Sequence, residues 1–157
     1  MTTLERLLVN LAEVELADNE KDRTAAKAAL REAVAETRSN KKTAEMLVRE
    51  IMAELGAPES LIGHPYTVKA ILLCIEDEKM IDNITFRLYP TVAAHFDTMA
   101  ARVERGIRNV IEVTWTRGDT DAIYKYFRNT VSAEKCKPTN GEFIARISNI
   151  VRVQISK

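Results

Sequence analysis

Two cysteines in 157 residues cannot make a disulfide framework, and their spacing does not build a metal site. Cys74 lies in the apolar run AILLCI and is expected in the core; Cys136 lies in EKCKP and is expected at the surface, both as thiols. Histidine is equally scarce. Neither His64 nor His95 has a Cys, His or carboxylate at ligand spacing, so no metal and no other cofactor is expected. The five glycines form no phosphate-cradling loop. Ser132 and Ser148 have no paired base, and Glu76-Asp77-Glu78 points in several directions around a helix, which reads as a solvated face. These absences argue against an enzyme. No apolar run has membrane-spanning length, and the N-terminus opens with TTLERLL rather than a signal segment, so a cytoplasmic protein without a membrane partner is expected.

Strand signals are also almost absent, and what fills the chain instead is helix. Long stretches rich in Ala, Leu, Glu, Lys and Arg predict an all-α, multi-helix bundle, with one principal domain over 46–157 and a helical hairpin extension over 1–45. Leu4, Leu7, Leu8, Leu11 and Val14 recur every three or four residues, which predicts an amphipathic helix over Thr3–Leu16. An alanine-rich helix follows over about Glu20–Arg38, with a stripe too thin for a core of its own. Thr43 is expected to cap the next helix, which ends at Gly56-Ala57-Pro58. A central helix is expected from Tyr66 to Glu78, a short helix or turn over Asp82–Leu88, and a last helix capped by Thr139, with Glu142 at capping-box spacing. Trp115, Tyr124, Tyr126 and Phe127 offer a stacking surface for single strands, but at this spacing they are expected in the core.

The zero net charge is unevenly distributed. Residues 1–86 hold 11 Lys+Arg and 16 Asp+Glu, giving −5, whereas residues 87–157 hold 12 and 7, giving +5. The positive half contains Val92–Arg117, which reads as a short helix, a turn at Asp97-Thr98 and a long helix, the layout of a helix-turn-helix. Around the long helix Val103, Ile107, Val110 and Ile111 share one arc, and Ala101, Arg102, Arg105, Arg108, Asn109 and Glu112 the other. The first arc can anchor the helix while the second enters a groove. The turn carries no glycine. Thr98 is expected to cap the long helix, whose free N–H groups suit a phosphate.

The run RVERGIRNVIEVTWTRG, the later VSAEKCKPTNGEFIA and the earlier VREIMAELGAPESLIGHPYTVKAI and LYPTVAAHF together resemble the C-terminal effector domain of the stage-zero sporulation protein A family of response regulators. The resemblance starts near Leu47 and runs to the C-terminus. It implies a DNA-binding transcription factor that recognises a TGTCGAA-type element in double-stranded DNA, often in tandem or as a homodimer, with RNA polymerase as a further partner. It also implies that Glu104 and Arg105 are the base-reading pair, and the planar fork of an arginine suits guanine O6 and N7. Arg102 and Arg108 match family positions and are expected to touch bases or phosphates. Asn109 departs from the histidine of the best-known members and marks where sequence preference is free to differ. Lys135, Lys137 and Asn140, at the basic loop before the last helix, are expected at phosphates, as are Thr98, Arg117 and Arg128. The family's receiver domain has no counterpart in residues 1–45, which are too short and too helical for it. Leu4, Leu7, Leu11 and Val14 are expected instead to form an oligomerisation or docking seam. The alternative is a non-catalytic protein that dimerises with, or antagonises, a full-length sporulation regulator.

Overall fold

The computed structural model describes residues 3–128 and 137–157, and all regular structure among them is helical. Helices α1 (Thr3–Leu16), α2 (Glu20–Leu55) and α3 (Gly63–Glu76) are followed by a 3₁₀ segment, Glu78–Asn83, and a π turn, Ile84–Leu88. Then come α4 (Tyr89–His95), α5 (Ala100–Arg117), α6 (Thr120–Phe127) and α7 (Asn140–Ile155). The chain divides into two compact units, Met1–Thr43 and Ala44–Lys157. Ser132, Lys135 and Cys136 lie outside the described residues.

In the first unit α1 and the start of α2 form a hairpin. Asn19 turns the chain and caps α2, its Oδ1 accepting from the Asp22 N–H at 2.8 Å. Leu7 and Val14 are half-buried, while Leu4 and Leu11 are exposed. No described residue before Ala44 is buried.

The expected break before Thr43 does not occur, because nothing in Arg38–Lys42 stops a helix. Thr43 sits inside α2, and its hydroxyl donates to the Ser39 carbonyl at 3.0 Å instead of capping a new helix. In the second unit α2 buries Ala44, Val48, Ile51, Met52 and Leu55. It then ends as the sequence predicts. Gly56 has φ +76°, its N–H donates to Ala53 O and that of Ala57 to Met52 O, both at 3.0 Å, which closes the last turn.

Helix α3 is central, packing against α4, α5 and α7, and begins three residues earlier than the sequence predicts. The crossing with α5 is made by glycine. A Cβ on Gly63 would overlap the Gly106 carbonyl, so only a bare backbone fits there. Cys74 is buried, which pushes its thiol up to about 11 and leaves it protonated and inert. Trp115 of α5 and the aromatics of α6 are largely core. Phe127 stacks on Phe143 at 5.3 Å between centroids, Trp115 meets Phe127 edge-on at 5.0 Å, and Tyr126 is buried. Tyr124 alone of that group is exposed.

Candidate nucleic-acid interface

The interface is built on α4, α5 and the start of α7. Tyr89, Val92 and Ala93 bury one side of α4, and the chain then reverses over Phe96–Met99. The reversal needs one residue in the left-handed region, and Asp97 supplies it with φ +50°. Aspartate is among the few side chains that tolerate this conformation, which explains how the turn forms without glycine. The Thr98 N–H closes it by donating to Ala93 O at 2.9 Å.

That bond holds Thr98 in the turn, so it does not cap α5 as the sequence suggests. The capping position belongs to Met99, extended at φ −101° and ψ 144°, whose carbonyl accepts from Arg102 N–H at 3.0 Å and Val103 N–H at 3.1 Å. Methionine has no oxygen to offer, and α5 starts with no side-chain cap.

Along α5 the two arcs separate as their periodicity predicts. Val103, Ile107, Val110 and Ile111 are buried, and Ala101, Arg102, Arg105, Arg108, Asn109 and Glu112 are exposed. Glu104 lies half-buried at the edge. Its carboxylate takes Arg108, not Arg105, because residues four apart share a helix face and adjacent ones lie about 100° apart. Glu104 therefore does not orient Arg105. Arg102, Arg105, Arg117 and Arg128 are exposed, and none forms an ion pair among the described residues.

Lys137, just before α7, lies on this surface. Lys137 donates to Glu112 Oε1 at 2.9 Å, and that hydrogen bond and charge hold the Glu112 carboxyl below its ordinary range. Thr139 caps α7 in a full capping box with Glu142, as its spacing predicts. Asn140, the first residue of α7, is half-buried and its amide faces inward. Nδ2 donates to the Tyr89 hydroxyl at 3.0 Å and to the Glu104 carbonyl at 3.1 Å, occupying both of its hydrogens. No donor of that side-chain amide is left for a phosphate, and a phosphate contact there would fall to the backbone N–H groups at the start of α7. Glu104, Arg108, Glu112, Lys137 and Tyr89 line a groove of about 650 Å³ along this seam.

Lys135 lies outside the described residues. Tyr89 and Glu112 are the members of the site whose roles sequence reasoning misses. Tyr89 carries only the signal of a helix start, and its partner Asn140 is 51 positions away. His64 and His95 take no part: His64 is buried, and His95 packs edge-on against Phe96 at 4.8 Å. No group of three or more metal-ligating side chains occurs among the described residues, and none of their helices is long and apolar enough to cross a membrane.

Residues 48–151 match the protein family described as the C terminal of sporulation initiation factor Spo0A. The match takes in the whole helix-turn-helix, both faces of α5 and most of α7. A helix-turn-helix layout with an exposed arginine face, inside a match over residues 48–151, leads to one conclusion: the chain belongs to the Spo0A C-terminal family of DNA-binding effector domains.

Proposed function

We propose that this protein is a sequence-specific reader of double-stranded DNA that regulates transcription, placing α5 in the major groove over a TGTCGAA-type element. The observation that carries the reading is Arg105: it stands mid-way along the exposed arc of α5 with no ion pair among the described residues, so its planar fork is free for a guanine edge. Glu104 accepts from a cytosine amino group beside it, and Arg102, Arg108, Asn109, Arg117, Arg128, Lys135 and Lys137 meet flanking bases and phosphates. The uncapped N–H groups at the start of α5 favour a phosphate there. Thr98 contributes its side chain only, since its N–H is bound to Ala93. Selection of bound sequences from random duplexes, at stated salt, tests the reading. Recovery of a TGTCGAA-type element is the expected result, and recovery of no preferred sequence overturns it.

A second copy of the chain is the proposed occupant of the open face of α1. Leu4, Leu8 and Leu11 are 67%, 56% and 45% exposed, they share one helical face, and the hairpin they belong to has no buried residue of its own. Residues 1–43 carry eight basic and eight acidic side chains, so two copies meet without net repulsion. Light scattering is expected to find a dimer for the chain and a monomer for a Leu4→Lys/Leu8→Lys/Leu11→Lys variant. A monomer in both, or a dimer in both, sinks the assignment.

A further inference from the structure

Asn140 lines the groove beside the reading helix, yet its amide donors are spent on the protein itself. Both amide hydrogens go to groups of the protein: the hydroxyl of Tyr89 on α4 and the main-chain carbonyl of Glu104 on α5. These partners belong to the two helices of the helix-turn-helix, and the donor belongs to a third helix. The Asn140 amide is thus a single bracket joining all three. Its own place is fixed by the preceding capping box, in which Thr139 Oγ1 accepts from the Glu142 N–H at 3.2 Å. Tyr89 is buried, so most of its ring is held by the core while its hydroxyl meets Asn140.

We propose that Asn140 is a positioning residue for base readout, resting on the DNA-reading role above: its side chain fixes the rotation of α5 at Glu104 and Arg105 and touches no phosphate. A bidentate arginine contact tolerates little error in rotation, whereas backbone contacts through long side chains adapt to it. Loss of the bracket should therefore reduce discrimination between sequences more than affinity for DNA as such. Leucine keeps the approximate size of the side chain with neither its donors nor a charge, so Asn140→Leu and Asn140→Ala are expected to behave alike in kind.

The test compares the chain with Asn140→Ala, Asn140→Leu and Tyr89→Phe on two duplexes, the selected element and a scrambled control, over a series of salt concentrations. For the two Asn140 variants the ratio of specific to scrambled affinity is expected to fall about tenfold, with the salt slope on scrambled DNA unchanged. Tyr89→Phe, which removes one of the two acceptors and no DNA-facing atom, is expected to lower the same ratio by a smaller factor. If an Asn140 variant fails to fold, Tyr89→Phe alone decides. A salt slope lowered by about one, the mark of a lost phosphate contact, overturns the proposal. So does an unchanged ratio in every folded variant. A wild-type chain with no preference between the duplexes is a different failure, that of the DNA-reading role.

Discussion

The two faces of α5 share one backbone and follow different rules. The inner face is uniform: Val103, Ile107, Val110 and Ile111 all enter the same core, and any apolar residue of similar shape would serve the same physics. The outer face looks uniform in sequence and is divided in space. Arg102 and Arg105 stand free among the described residues, whereas Arg108 is paired with Glu104 and, a turn further on, Glu112 holds Lys137. A helix wheel locates charge but not its partners, and partners decide which cations are available to DNA. The free half is suited to base edges, and the half-neutralised part to contacts that require an exchange of partners.

The largest expected effect comes from the inner face. Ile107→Ala removes a fully buried side chain and is expected to cost about 2–5 kcal/mol of stability, read from denaturant unfolding. Affinity per folded molecule should stay the same; a change in sequence preference would show that the two faces are not independent. Next comes Arg105→Ala, expected to leave the melting temperature unaltered and to weaken binding of the selected element by about 1–3 kcal/mol, with relaxed preference at one base pair in a gel-shift titration. Unchanged binding would remove the distinction between free and paired arginines.

Glu112→Gln tests the paired half. It releases Lys137 and removes a negative charge from the DNA-facing arc, so binding to all sequences should strengthen at low salt, with the gain vanishing at high salt. A gain confined to the selected element would instead make Glu112 a base-reading group. The smallest effect is one of pH. Burial holds the His64 imidazole below its ordinary 6.5, with Glu59 opposing that shift and Arg49 adding to it, so the unfolded chain takes up the proton first. Stability is therefore expected to be complete above pH 6.5 and to decline as pH falls from there through the lower folded value. A His64→Gln variant should flatten that part of a melting-temperature profile. An identical slope in the two proteins would remove His64 as its cause.

Much of the fold was legible from periodicity and punctuation: the two arcs of α5, the end of α2 at Gly56 and the capping box at Thr139–Glu142 are local patterns with local causes. Thr43 and Thr98 were misplaced for a shared reason. A threonine near a helix start has several carbonyls and N–H groups within reach, and its hydroxyl and backbone take whichever the surrounding chain leaves open. At Thr43 that was the Ser39 carbonyl inside an unbroken helix, and at Thr98 the Ala93 carbonyl across the turn. The candidate reading pair was legible through resemblance to the family, but its supports were not.

By itself the sequence determined that the chain is helical, that α5 has an apolar face and a basic face, and that Arg105 lies in the middle of the latter. Repeats of 3.6 residues and capping residues act over a few positions, and each carries its own physical cause. Only the tertiary structure decided that Asn140 faces Tyr89 and Glu104, that Lys137 meets Glu112 and that Gly63 rests on Gly106. Those contacts join residues 25 to 51 positions apart, or more than one helix away, and no local preference of either partner names the other. The packing of α3, α4, α5 and α7 around one core brings them together, and with them the set of charges left free to meet DNA.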